Sequence, residues 1–268
     1  MRYLNGREIR DFVKARQLHQ VRSLRQSQGI NLNLTIIQTK DDNLSNVYTN
    51  LKKRYGEDIE VAVDIVKTSA TEAEKIIKGL DADSSVTGVL VQLPLDDISL
   101  TDKVINAISP DKDVDGLGDS PKWDPTTAMA INWLLAGYNI SLDNKKIAIV
   151  GQGRLVGAPL MKMWRGSGYD VMALDDTCDD LRLALADKDI VVTATGVPGL
   201  IKSRMLKHGA TVVDAGTASD GGAIKGDLAP EVYERDDLTL TPQKGGVGPL
   251  TIAALFDNVI RAGAVSTK

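Results

Sequence analysis

The sequence predicts a two-domain α/β protein, on three observations. Short β-rich runs alternate with helical stretches along nearly the whole chain, an order that builds mostly parallel sheets with helices on both faces. The alternation breaks at residues 109–127, a segment rich in Asp, Pro and Gly with no apolar period. Beyond that break, strand and helix alternate again, opening on a glycine-rich turn at Gly151. A chain of 268 residues suits the arrangement, at about 100–200 residues per domain.

Taken in order, residues 6–25 carry Ile9, Phe12, Val13, Val21 and Leu24 at helical spacing, which predicts a helix with one buried face. LNLTIIQT from Leu32 reads as a strand and Ser45–Tyr55 as a helix. IEVAVDIV from Ile59 reads as a strand and TEAEKIIKGL from Thr71 as a helix. VTGVLVQLPL from Val86 is a strongly apolar strand stopped by Pro94, and SLTDKVINAI is a short helix. After the break a helix covers Ala128–Tyr138. The strands KIAIV, YDVMAL, DIVVTAT, ATVVDAG and LTLT follow, and the chain closes on the helix GPLTIAALFDNVIRAGAV, with Pro249 in its first turn. The expected division is a three-layer α/β substrate domain of residues 1–118 plus 250–268, a bridging loop and helix over 119–139, and a nucleotide domain over 140–249.

Composition narrows the function. A net charge of −4 and a pI near 5.3 argue against nucleic acid, since polyanion-binding domains carry a basic excess. The arginines and lysine of the first helix (Arg7, Arg10, Lys14, Arg16, Arg22, Arg25) read as a solvated face. Cys178 is the lone cysteine, so no disulfide forms within the chain, and with His19 and His208 it makes no Cys/His metal site. No apolar run approaches the roughly 18 residues of a membrane span. A cytoplasmic protein with no bound metal and no membrane partner is expected.

Five motifs carry chemistry. Gly151-Gln152-Gly153-Arg154-Leu155-Val156-Gly157 follows a strand and opens a helix, where glycines let a pyrophosphate approach the backbone and the helix end offers free N–H groups. An ordinary strand-to-helix turn is the alternative. Asp175 and Asp176 close the next strand, where a carboxylate accepts hydrogen bonds from an adenosine ribose or simply forms a turn. Tyr48 and Lys52 are four apart, on one face of a helix, though Lys52-Lys53-Arg54 also fits a solvated face. Gln92, in VQLPL, ends a strand at the edge where parallel sheets bind ligands, or it caps that edge. Asp111-Lys112-Asp113-Val114-Asp115-Gly116 reads as a solvated turn, because no second carboxylate cluster completes a cation cage. Finally, Thr241-Pro242-Gln243-Lys244-Gly245-Gly246-Val247-Gly248-Pro249 puts glycines before a helix, which suits close approach of a ligand or a plain loop.

In this order, Y-x-x-x-K, VQLPL, PDKDVDG, the Gly151 turn and TPQKGGVGPLT, the chain resembles the methylenetetrahydrofolate dehydrogenase/cyclohydrolase family, from about Leu34 to Leu255. The resemblance implies a Rossmann-type nucleotide domain and two reactions. Methylenetetrahydrofolate gives a hydride to NADP or NAD, and the methenyl product is hydrolysed to 10-formyltetrahydrofolate. It implies that Lys52 moves the proton in hydrolysis, Gln92 holds that lysine, Asp115 binds the pterin and Tyr48 stacks on the aminobenzoyl ring, with Ser45 preceding it. Gly245, Gly246, Val247, Gly248 and Pro249 join Tyr48 and Asp115 on the substrate. Gly151, Gln152, Gly153, Arg154, Gly157, Asp175 and Thr217 are the expected cofactor contacts. A homodimer follows by the same likeness.

The departures fall on the redox side. Gln152-Gly153 stands where the family usually has Arg-Ser, and that arginine is linked to the extra phosphate of NADP. The loop after Leu117 looks short, Pro125-Thr126-Thr127-Ala128-Met129 replaces a Cys-Thr-Pro-x-Gly run, and Lys244 replaces a proline. Two alternatives therefore stand beside the bifunctional enzyme. One is a cyclohydrolase with a weakened or lost dehydrogenase half. The other is a non-catalytic dinucleotide-binding or interaction protein, against which Tyr48, Lys52, Gln92 and Asp115 together speak.

Overall fold

The computed structural model describes residues 2–220 and 223–265. In chain order the elements are β1 (Arg2–Tyr3), α1 (Gly6–Gln28), β2 (Asn33–Gln38), α2 (Asn43–Asp58), β3 (Ala62–Lys67), α3 (Ala70–Ala82), β4 (Gly88–Gln92), α4 (Thr101–Ile105) and α5 (Thr126–Gly137). They continue as β5 (Ile147–Val150), α6 (Gly157–Gly166), β6 (Val171–Leu174), α7 (Leu181–Leu185), β7 (Ile190–Thr193), β8 (Thr211–Asp214), β9 (Ala218–Asp220), β10 (Ala223–Lys225), β11 (Thr239–Leu240) and α8 (Val247–Val265).

The chain divides into two compact units: Met1–Arg10 with Thr127–Thr251, and Asp11–Thr126 with Ile252–Lys268. These bounds differ from the expected ones at three points. β1 pairs in parallel with β11, so the first residues join the nucleotide unit. The division also falls inside α8, between Thr251 and Ile252, and the bridging segment 119–139 is split between Thr126 and Thr127. A two-residue strand whose partner lies at the far end of the chain has no local periodicity to reveal it.

In the second unit a parallel sheet runs in the order β3-β2-β4. Ile37, Val89 and Val91 pack against Ala70, Ala73 and Ile77, which recur along one face of α3. Residues of α1 and α8 that belong to this unit form its other buried layer. Tyr55 stacks on Phe256 with ring centroids 5.1 Å apart, its hydroxyl donates to Gln17 Oε1 at 2.7 Å, and Gln17 Nε2 donates to the Ala253 carbonyl at 2.8 Å. Phe12, expected on the buried face of the first helix, is 77% exposed. Val13, Val21 and Leu24 already complete that stripe, and Gln17 is the residue buried between them.

In the first unit six parallel strands run in the order β1-β11-β8-β7-β5-β6. β5 has β6 on one side and β7 on the other, so the strand order reverses there, the position beyond whose C-terminal strand ends open parallel sheets take ligands. Ala148, Val150, Val191, Val212 and Leu240 give the sheet an apolar face. The antiparallel pair β9–β10 was not legible in the sequence; its turn lies outside the described residues.

Candidate functional site

Lys52 is placed by α2. Asp42 caps that helix, accepting the Ser45 N–H at 2.7 Å. Ser45 and Thr49 are buried, whereas Tyr48 and Lys52 are partly exposed. Lys52 Nζ donates to Gln92 Oε1 at 2.6 Å. Gln92 ends β4, and its Nε2 donates to the Leu93 carbonyl at 2.9 Å. The amide is thereby oriented: its NH2 faces a carbonyl and only its oxygen can meet an ammonium. Burial pulls the Lys52 amine below its ordinary value, and the charge of Asp115 opposes that shift without cancelling it. Burial pushes Asp115 up in turn, against Lys52 and the Thr126 hydroxyl.

Asp115 is set by a loop that is not the solvated turn expected from its three carboxylates. Asp113 is buried and accepts the N–H groups of Gly116 at 3.1 Å and Gly118 at 2.8 Å. The Val89 N–H donates to the Lys112 carbonyl at 2.8 Å, which fastens the loop to β4. Buried Asn258 donates to the Val114 and Asp124 carbonyls, both at 2.9 Å. Gly116 has φ +70°, and a Cβ there would lie 2.7 Å from the Trp123 carbonyl oxygen, so only glycine fits. The three carboxylates thus separate. Asp111 is exposed and pairs with Lys122 at 2.5 Å, Asp113 braces the backbone, and Asp115 accepts the Thr126 hydroxyl at 2.5 Å beside Lys52. Among the described residues no group of three or more His, Cys, Asp or Glu side chains converges to hold a metal ion.

The Gly151 turn has the shape a dinucleotide needs. Gly151 follows β5 at φ +91°, where a Cβ would meet the Ala194 carbonyl oxygen at 2.6 Å. Gly157, the first residue of α6, has the Gly151 carbonyl oxygen 1.8 Å from where its Cβ would stand. At Gly153 a Cβ would have nothing within 4 Å, which leaves the backbone open to a phosphate. Gln152 turns inward: its Nε2 donates to the Ile149 carbonyl at 3.3 Å, and its buried Oε1 has no partner. Arg154 is exposed. Asp175 follows β6, and its Oδ1 accepts from the Thr177 hydroxyl at 2.6 Å and N–H at 3.0 Å, which holds the carboxyl below its ordinary range. Thr217 is exposed between β8 and β9.

Gly245–Pro249 belong to this same unit, whereas Tyr48, Lys52, Gln92 and Asp115 belong to the other. Gly245 has φ +91° and its carbonyl accepts the Gly6 N–H at 2.8 Å. Val247 is buried, so its side chain serves the core.

Two family models match the chain in turn. The tetrahydrofolate dehydrogenase/cyclohydrolase catalytic domain matches residues 4–115, and the NAD(P)-binding domain of the same family matches residues 125–267. The chain belongs to the tetrahydrofolate dehydrogenase/cyclohydrolase family. The bifunctional protein FolD of Staphylococcus saprophyticus subsp. saprophyticus is 33% identical, over 97% of this chain and 95% of its own. The crystal structure of the bifunctional FolD methylenetetrahydrofolate dehydrogenase/cyclohydrolase from Campylobacter jejuni superposes with a TM-score of 0.91 at 30% identity, covering 98% of this chain and 99% of that one. A 5,10-methylenetetrahydrofolate dehydrogenase from the silkworm Bombyx mori gives 0.91 at 27% identity, covering 100% and 99%. As a member of this dehydrogenase/cyclohydrolase family the chain is an enzyme with both a folate-type catalytic domain and an NAD(P)-binding domain. The narrower reading, cyclohydrolase alone, gains no support.

Sequence reasoning missed three residues of these surroundings. Thr126 holds Asp115, but in the sequence it sits in an unfamiliar Pro-Thr-Thr run. Gln38 ends β2 opposite Gln92, at the end of a run, LNLTIIQT, that in the sequence reads only as a strand. Asp227 is fully buried behind β7, its Oδ2 accepting the Thr193 hydroxyl at 2.6 Å and the Thr195 N–H at 2.7 Å, with Oδ1 unpartnered. Its neighbour Asp214 accepts three backbone N–H groups, and burial pushes it up to about 6. Asp214 ends the strand read from ATVVDAG and Asp227 follows a glycine in an unassigned stretch, and only the tertiary fold brings the two together.

Proposed function

We propose that Lys52 is the proton-transfer residue with which this enzyme hydrolyses 5,10-methenyltetrahydrofolate, after oxidising the methylene form with NAD(P). The observation that carries this is the 2.6 Å hydrogen bond from Lys52 to the oriented amide of Gln92, beside Asp115. A neutral acceptor positions the amine without a carboxylate's full pull toward the charged form, and burial lowers it further. A cationic substrate nearby acts in the same direction. The amine then takes a proton from water as its oxygen bonds to the methenyl carbon. The bond from that carbon to N5 then breaks as the new hydroxyl gives up its proton and N5 gains one, leaving the carbonyl of the 10-formyl group. Asp115 accepts hydrogen bonds from the pterin's amino-pyrimidine edge, and Tyr48 lies against the aminobenzoyl ring. When bound, NAD(P) supplies the hydride acceptor for the first step. Gly151, Gly153 and Gly157 would hold its pyrophosphate at the start of α6.

Paired steady-state assays of both reactions, each with NAD and with NADP, test this reading; absence of methenyltetrahydrofolate hydrolysis would overturn it. Gln92→Glu adds a carboxylate against Nζ and should raise the Lys52 pKa. The rising limb of the pH–rate profile for hydrolysis should move to higher pH, and each pH unit that it moves should cost about 10-fold in the rate at pH 7. An unmoved limb would mean that Lys52 is not the titrating group.

Cofactor choice turns on two side chains. Gln152 offers no cation and has turned its amide inward. Asp175 keeps its Oδ2 clear of the Thr177 turn, so it can accept from a ribose hydroxyl and would repel a 2′-phosphate. NAD is expected to serve at least as well as NADP, and Asp175→Ser to shift the kcat/KM ratio severalfold toward NADP. A strong wild-type preference for NADP, unchanged in the variant, would assign the choice to Arg154 or another cation. A cytoplasmic homodimer completes the reading; light scattering across a dilution series checks its assembly. Among the described residues no helix is long and apolar enough to cross a membrane.

A further inference from the structure

We propose that Gln38 and Thr49 form a second clamp on α2 that sets where Lys52 stands, which makes Gln38 a positioning residue for the hydrolytic step. The inference rests on the role given above to Lys52.

Gln38 is the last residue of β2, only 2% exposed, and lies opposite Gln92 in the β2–β4 register. A buried amide is costly unless it is satisfied, and this one is. Its Nε2 donates to the Lys40 carbonyl at 2.9 Å and to Asn46 Oδ1 at 2.8 Å. Both N–H groups are thereby committed, which fixes Oε1 on the side of Thr49. Thr49 is 1% exposed, and its hydroxyl lies 3.1 Å from Gln38 Oε1 and 3.0 Å from the Ser45 carbonyl. The hydroxyl has a single proton to give. The Ser45 carbonyl and the Asn46 carbonyl, the latter 3.3 Å from the hydroxyl, already sit in the helix ladder, whereas Gln38 Oε1 has no other donor among the described residues.

Thr49 lies one helical turn before Lys52. Two successive turns of α2 are therefore hydrogen-bonded to the terminal residues of two adjacent strands: Thr49 to Gln38 on β2, and Lys52 to Gln92 on β4. Asn46, one turn earlier, adds a third tie through Gln38 Nε2. A lysine side chain has four rotatable bonds and a large rotamer entropy, so its own hydrogen bond cannot fix the height and rotation of the helix that carries it. With both clamps closed, α2 cannot slide or turn without breaking bonds to both strands. An apolar residue at Gln38 would pack against α2 but would not select one axial position.

The test uses Gln38→Leu/Thr49→Val, which removes both partners of the Gln38–Thr49 bond together and leaves the Lys40 carbonyl and Asn46 Oδ1, on an exposed and a partly exposed residue, to water, with Thr49→Val and Thr49→Ser alone. Methenyltetrahydrofolate hydrolysis is measured for each beside wild type and Lys52→Met, with thermal melts. The double variant is expected to melt near wild type, to keep its KM for the folate, and to lose kcat by about 10- to 100-fold, as a displacement of about 1 Å does. Thr49→Ser, which keeps the hydroxyl, should retain wild-type kcat, and Thr49→Val should not. Wild-type kcat in the double variant would overturn the clamp. If the double variant fails to fold, the serine–valine comparison decides: equal kcat at wild-type level in both overturns it. Wild-type hydrolysis in Lys52→Met would instead refute the role of the lysine, whatever the clamp variants do.

Discussion

Lys52→Met is expected to lose hydrolysis of 5,10-methenyltetrahydrofolate by about 100- to 10,000-fold, the range typical of a missing general acid–base group. Methionine keeps most of the apolar stem that packs along α2 and removes the amine alone. The orphaned acceptor, Gln92 Oε1, lies on a partly exposed residue that water can reach, so the variant should fold. Decay of the methenyl compound is followed optically and set against its uncatalysed rate. The comparison separates chemistry from binding: with Tyr48 and Asp115 intact, folate affinity should change little while kcat falls. Wild-type turnover in the variant would sink the assignment.

The sequence made the centre of this site legible because its chemistry is local. Tyr48 and Lys52 share one helix, and the residue types of VQLPL and KDVDG keep their order along the chain. The supporting residues stayed hidden because their partners lie on other elements, from 11 to 144 positions away. Thr126, Asn258, Gln38 and Asp227 acquire meaning only through contacts with other elements. The same holds for the fold. Strands with four or more apolar residues and helices with a clear stripe were readable, whereas β1 depends wholly on β11. β3 begins at Ala62, later than its apolar run suggests, because Ile59 and Val61 are spent turning the chain out of α2 into the core. The loop at Asp113 was misread for the opposite reason. Its composition is that of a solvated turn, yet backbone N–H groups satisfy the buried carboxylate.

Asp115→Ala should weaken folate binding by about 10- to 100-fold, the worth of hydrogen bonds to a charged group, and depress oxidation and hydrolysis together. Both steps use the same pterin pose, so losing its anchor raises KM for both. The structure adds a second consequence, with a definite sign. The Asp115 charge is what opposes the burial-driven fall in the Lys52 pKa. Removing it should lower that pKa further and move the rising limb of the hydrolytic pH–rate profile to lower pH. Asp115→Asn sharpens the comparison: its amide oxygen can still accept the Thr126 hydroxyl, so the loop should keep its shape, but it cannot offer two anionic acceptors to the pterin edge. Equal loss of folate affinity in the alanine and asparagine variants, with the limb moved down in both, is the expected pattern. If only the oxidation slowed, with folate affinity and hydrolysis unchanged, Asp115 would not be the pterin anchor.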